Sequence, residues 1–296
     1  MRRVLGAIVA LSIVAAAAAT SAGASHLPRS YELRLSARNL TSLETSFYEV
    51  WVVYGDRKIS AGSFNVDSKG KLVDGFGHAA RFFSPRRPTD ADAVVVTIEP
   101  SPDPSPAPSG IVVLSGKPGA HAAKLAFPVD LKQIAGSFIL ATPTDSSVSN
   151  ETAGVWFLDP AAGPGPSLRL PTLPGGWAWE GWGVTQDTPL STGRFTSPSG
   201  ADSSSLFSGP NAAPPFPGED FLSKLPAGVT APVSLADGSS LIVLSIEPDL
   251  NGSDPTGPGP FSIKPLVTKV ASGAADHQSI QLGRDLSGVP AGTARF

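Results

Sequence analysis

Apolar positions along this chain come in short blocks, and the clearest block occurs twice. Ala93 to Pro100 reads AVVVTIEP, and Leu241 to Pro248 reads LIVLSIEP. Each apolar run closes on Ile-Glu-Pro and leads into a Pro-rich turn, which predicts a buried strand ended by a breaker. Tyr31 to Leu35 alternates apolar and polar positions in the manner of a half-buried strand. Tyr48 to Phe64, YEVWVVYGDRKISAGSF, aligns without a gap on Trp179 to Phe195, WEGWGVTQDTPLSTGRF. Both segments read as strand, polar turn, strand, which is a hairpin. Alternation along the strands is expected to put Trp51, Val53 and Ile59 on one face. A third block closes each half. His121, Leu125, Asp130-Leu131, Ile134 and Gly136 match His277, Leu282, Asp285-Leu286, Val289 and Gly292.

The order hairpin, Ile-Glu-Pro strand, Asp-Leu segment thus occurs twice, and repetition of this kind predicts two copies of one structural unit. Helical spacing is nearly absent; Phe221 to Leu225 is expected to make one turn at most. Many short strands with regular turns predict an all-β fold of two tandem β-sandwich domains related by internal duplication. The boundaries follow as residues 25–135 and 136–296, behind a leader at residues 1–24. Phe138 to Ala141 is expected either to close the first sheet or to open the second. The second half is longer in its loops. Its extra length holds Ser203-Ser204-Ser205, Pro214-Pro215 and Pro217-Gly218, and an added hairpin is expected from Gly154 to Leu158 and Ser167 to Leu170.

The leader carries Arg2 and Arg3, an apolar run from Val4 to Ala19, and the small residues Ala22-Gly23-Ala24. This is the pattern of a signal peptide cleaved after Ala24, and it places the mature chain outside the cytoplasm, secreted or periplasmic. Retention of the run as an anchor is the other reading open. No later apolar run is long enough to span a membrane.

Composition narrows the function. Charged residues are only 16% of the 296, while Gly (31) and Pro (30) supply the turns. A net charge of -3 argues against a nucleic-acid partner. Without any Cys there is no disulfide framework, thiolate metal site or Cys nucleophile. No G-x-S-x-G or metal-spaced His pair occurs, so no catalytic residue, metal or cofactor is assigned. Asp249, Asn251, Gly252 and Asp254 share the composition of a calcium loop but not its spacing.

Trp51, Phe64, Trp182 and Phe195 occupy matching hairpin positions and are expected to anchor the core. Trp177 and Trp179, beside Gly175-Gly176 and Gly181, are the candidates for an exposed stacking surface that binds a ligand. Glu49, Glu99, Glu180 and Glu247 recur in both halves. Two carboxylates facing one bond would suit a glycosidase. A strand-end Glu that accepts amides of the adjacent Pro-rich turn is the structural reading, and recurrence in both halves favours it.

An aromatic-Glu-x-Trp strand leading to Ser-x-Gly-x-Phe, then a run ending in Ile-Glu-Pro, resembles the extracytoplasmic domain of anti-sigma-K factors. Here those motifs are Tyr48 to Phe64 with Ala93 to Pro100, and Trp179 to Phe195 with Leu241 to Pro248. The resemblance implies a bacterial envelope protein whose β-domain receives a signal outside the membrane. The family's cytoplasmic helical domain has no counterpart here, so binding of a sigma factor is not expected. The expectation is a non-enzymatic module that binds an envelope protein or polymer. A carbohydrate-binding or adhesive protein using Trp177, Trp179 and the loops is the alternative.

Overall fold

The computed structural model describes residues 30–161 and 163–296. The expected leader and its cleavage site lie outside the described residues. The first half of the chain forms eight strands: β1 (Tyr31–Arg38), β2 (Ser46–Tyr54), β3 (Arg57–Val66), β4 (Leu72–Val73), β5 (Phe82–Ser84), β6 (Ala93–Pro100), β7 (Val112–Gly116) and β8 (Ala122–Ala126). Then follow β9 (Ser137–Leu140), β10 (Gly154–Trp156), β11 (Leu158–Asp159), β12 (Gly165–Pro166), β13 (Trp177–Thr185), β14 (Thr188–Phe195) and β15 (Gly218–Asp220). The last five are β16 (Leu241–Pro248), β17 (Leu266–Lys269), β18 (Ile280–Gln281), β19 (Gly283–Arg284) and β20 (Ala291–Arg295). Two short 3-10 turns, Pro88–Asp90 and Glu151–Ala153, are the only helical elements among the described residues. The fold is all-β, and its strand pairs are antiparallel apart from one isolated parallel bridge in the added hairpin.

The two predicted hairpins form β2–β3 and β13–β14. A two-residue turn joins each pair, with Tyr54 opposite Arg57 and Thr185 opposite Thr188. Both hairpins carry the same irregularity. The register shifts between Val50 and Trp51 in one and between Gly181 and Trp182 in the other. Gly62 and Gly193 stand at this bulge with φ of 138° and 107°, a region that only Gly enters without strain. At Gly193 a Cβ would also lie 2.7 Å from the Ser204 amide nitrogen. The two-residue turn corrects one expectation. It sets Ile59 opposite Val52, so Ile59 faces the core with Val52, while Trp51 and Val53 point to the other face. The Phe221 to Leu225 stretch makes no helical turn. The added hairpin is only its tip, with Leu158 opposite Pro166. Val155 and Trp156 pair instead with β9, and Arg169 with Ala135.

Of the strands that follow the two Asp-Leu segments, the second joins the sheet of the other half. In the first half, the sheet order is β4-β3-β2-β6-β7-β8-β20-β1-β5. Its gap between β8 and β1 is filled by β20, the last strand of the second half. Strand β9, which follows the first Asp-Leu segment, lies between β10 and β18 of the second half. That half has the order β14-β13-β16-β17-β19 in one sheet and β15-β10-β9-β18 in the other, and the two are joined through Leu282. Both Asp-Leu segments make the same local bonds. Asp130 accepts the Lys132 amide at 3.0 Å, and Asp285 accepts the Ser287 amide at 2.9 Å. Across the 135/136 boundary one strand is exchanged: the first half's sheet contains β20, while β9 stays with the second half.

One contiguous apolar core runs through both halves. Tyr48, Val50, Phe64, Val96 and Ile98 belong to it with Trp179, Phe195, Leu244 and Ile246. Trp177 sits at the seam. Its ring meets Phe127 of the first half edge-on at 5.3 Å and Phe261 of the second at 6.0 Å, and its indole N–H donates to the Val112 carbonyl at 3.2 Å.

Exchange of β20 predicts that the first half cannot fold alone. Fragment 25–135 made separately is expected to lack a cooperative thermal transition, and to co-purify with fragment 136–296 as a folded pair when the two are expressed together. A fragment 25–135 that melts cooperatively by circular dichroism on its own would rule this out.

Candidate polar site on the outer faces of the hairpin sheets

The faces of β2–β6 and β13–β16 that point away from the core carry the motif residues. Alternation puts Glu49 and Trp51 of β2 beside Thr97 and Glu99 of β6, and Glu180 and Trp182 of β13 beside Ser245 and Glu247 of β16. In the first half the Trp51 indole N–H donates to the Thr97 hydroxyl at 2.8 Å. That hydroxyl donates to Glu99, which accepts the Ser109 amide at 2.9 Å from the returning Pro-rich loop. In the second half the Trp182 indole N–H donates to the Ser245 hydroxyl at 2.8 Å. Ser245 donates to Glu247, and Glu247 accepts the Phe261 amide at 2.8 Å. Glu49 and Glu180 each accept a hydroxyl from the partner strand, Ser60 and Ser191 respectively. The chain thus contains the same relay twice: indole, hydroxyl, carboxylate, loop amide.

Beside the relay itself the copies differ in one charge. Position 194 of the second hairpin is Arg where the aligned position of the first is Ser63. Arg194 donates from Nε to Glu180 at 2.9 Å, from Nη2 to Asp254 at 2.6 Å and from Nη1 to the Pro248 carbonyl at 3.1 Å. Burial works against its charge, but the Glu180 hydrogen bond and the charges of Glu180, Asp254 and Glu247 outweigh that and raise its pKa. Two shallow depressions adjoin it, of about 330 Å³ beside Glu180, Trp182 and Pro258 and about 440 Å³ beside Phe195, Asp202 and Asp249.

Burial dominates the electrostatics. Glu247 is 0% exposed, and burial pushes its pKa to about 8, with the Ser245 hydrogen bond opposing and Glu180 and Asp254 reinforcing. Burial also raises Glu99, against its Thr97 hydrogen bond. A second acidic group holds the long loops of the second half. Asp220 accepts from Thr144 and, at 2.7 Å, from the Trp156 indole; Glu219 accepts from Ser208; Asp202 accepts the Gly218 amide at 2.8 Å. Burial raises all three, Asp202 to about 7.

These placements decide what the predicted residues do. Phe64 and Phe195 lie in the core. Trp51 and Trp182 are buried too, on the opposite face, as heads of the relay and outside the apolar core cluster. Trp177 and Trp179 correct an expectation: they are 3% and 1% exposed, because they stand on the core face of β13, and no ring face is left to stack on a ligand. Glu99 and Glu247 each accept an amide of the adjoining turn, and Glu49 and Glu180 cross-link their hairpins. A raised carboxyl beside a second carboxylate is the pairing that glycoside cleavage uses. Here Glu247 and Glu180 are 0% and 6% exposed and their oxygens are occupied by protein donors. Asp249 and Asp254 serve separate ends of one loop, capping the Gly252 amide and binding Arg194. Among the described residues no group of His, Asp or Glu is placed to hold a metal ion, and no helix is long and apolar enough to cross a membrane. Arg194, Asp202, Glu219 and Asp220 were invisible to the motif alignment. Arg194 is the one with a signal, as a charge at a position that is Ser in the other copy.

No protein-family profile, curated protein or solved structure matches this chain.

Removing the head of a relay tests the geometry. Trp51→Ala is expected to cost about 3–5 kcal/mol in denaturant unfolding, from lost burial and the orphaned Thr97–Glu99 pair. A cost below about 1 kcal/mol would mean that the relay is ornamental. The raised acids set the pH dependence. Glu247 and Asp202 start from 4.5 and 3.8 and stand near 8 and 7 in the folded chain. Between those values the folded chain keeps protons that the unfolded chain releases, so their contribution is complete at acid pH and is lost as pH rises through about 7 to 8. The thermal midpoint is expected to fall from about pH 4 to about pH 8, the span of both shifts. Glu247→Gln with Asp202→Asn should flatten the fall; a midpoint that rises over the same span contradicts the assignment.

Proposed function

We propose that this protein is a non-enzymatic, exported module of the cell envelope that acts by binding, built from two copies of a domain like the extracytoplasmic domain of anti-sigma-K factors. The observation that carries this reading is how the repeated carboxylates are used. Glu99 and Glu247 bind a hydroxyl of their own strand and an amide of their own loop, and Glu49 and Glu180 bind a hydroxyl of the partner strand. In the second copy protein donors occupy both oxygens of Glu180 and of Glu247, which suits a structural role. The second half uses further buried acids to tie its long loop, residues 196–217, to β15. Preorganised loops on a rigid sheet are the usual means of recognition.

The carbohydrate reading based on Trp177 and Trp179 loses its basis with their burial. The leader pattern supports export. The purified mature chain is expected to co-sediment with isolated envelope fragments and to release no reducing sugar from them. Sugar release that Glu180→Gln or Glu247→Gln abolishes would replace the binding reading with a hydrolytic one.

A further inference from the structure

The strand exchanged into the first half creates a surface with an unusual charge pattern. On β1, the outward positions are Glu32, Arg34, Ser36 and Arg38, all exposed. The register sets Arg34 opposite Arg295, Ser36 opposite Thr293 and Arg38 opposite Ala291. On the other side of β20, Arg295 lies opposite Ala122, Thr293 opposite Lys124 and Ala291 opposite Ala126. Three rows therefore cross three strands. One holds Arg34 and Arg295, the next Ser36, Thr293 and Lys124, and the last Arg38 with two alanines.

Among the described residues Arg38, Lys124 and Arg295 form no ion pair. Glu32 is the one acid on the outward face of β1, β20 and β8, and it is shared between Arg34 at 3.4 Å and Arg81 at 3.7 Å. Like charges directly opposite across a strand pair, as Arg34 and Arg295 are, weaken the sheet. A chain with a net charge of -3 has acids enough to neutralise this face and places only Glu32 there, at its edge. The centre is open because its residues are small. Ala291, Gly292 and Thr293 floor a groove of about 420 Å³ walled by Ser36, Arg38 and Lys124.

We propose that this groove binds an extended anionic polymer of the cell envelope, a chain that carries phosphate or carboxylate groups along its length. The rows are two residues apart on each strand, which spaces the cationic positions by roughly 7 Å along the strands. An anionic group in each row would meet Arg34 and Arg295, then Lys124 with the Ser36 and Thr293 hydroxyls, then Arg38. Guanidinium forks suit both phosphate and carboxylate. The proposal rests on the binding reading above and names the chemistry of its ligand. It also places the ligand on the sheet rather than on the long loops.

The test uses the mature chain with long-chain inorganic polyphosphate as the phosphate probe and polygalacturonate as the carboxylate probe, read by fluorescence anisotropy. Neutral dextran and a DNA duplex are the comparators. Arg38→Gln/Lys124→Gln/Arg295→Gln removes the patch. Arg57→Gln/Lys58→Gln/Lys69→Gln removes three exposed cations from another strand and loop. All six positions are exposed, so both triples should melt as the parent does. The expected result is binding of at least one probe that weakens about tenfold or more in the first triple, stays within about twofold in the second, and falls steeply with salt. Whichever probe binds tells phosphate from carboxylate. Failure of both probes, equal loss in the two triples, or tighter binding to DNA would overturn the proposal. Co-sedimentation with envelope fragments that survives in the first triple would overturn it while leaving the broader binding reading intact.

Discussion

The structure depends on the placement of β20. The first half closes its sheet with the last strand of the second, seated between β1 and β8. A missing central strand leaves two rows of backbone donors and acceptors without partners and opens the core beneath them. Ala294 on β20 is 0% exposed, so the first half's interior is sealed by the chain of the second. Trp177 adds the apolar counterpart of this interlock at the seam. The two halves consequently share one core and one folding unit.

On that frame the polar relays solve a local problem. A strand that ends in Glu-Pro must turn away through a segment whose amides lose water. Glu99 and Glu247 accept those amides, and burial then favours the protonated form of each carboxyl. The hydroxyls of Thr97 and Ser245 offset part of that penalty and pass the bond on to an indole. The second copy adds Arg194, which ties Glu180 to the longer loop through Asp254. One relay thus anchors a short loop and the other, with an added charge, a longer one.

The groove over β20 follows from the same exchange. Small residues let β20 lie between β1 and β8. A Cβ on Gly292 would stand 2.7 Å from the Ser36 carbonyl, so only Gly allows that approach. The cations then line the groove from three strands that are far apart in sequence and brought together only by the crossover.

Much of the architecture could be read from the chain by itself. Strand-length apolar runs, the aligned hairpins and the scarcity of helical spacing determine an all-β fold, because side-chain period and turn residues act locally. The pairing of each Ile-Glu-Pro glutamate with its own loop also followed from adjacency. Three things were decided only by the tertiary structure. Which face of β13 is covered depends on what packs against it, and Trp177 and Trp179 went to the core while Trp182 went to the relay. Which sheet receives β9 and β20 depends on backbone pairing over more than a hundred residues, to which a hydrophobic pattern is blind. The cations of β1, β8 and β20 become one surface only through that pairing, since no local spacing in the sequence brings Arg38, Lys124 and Arg295 together.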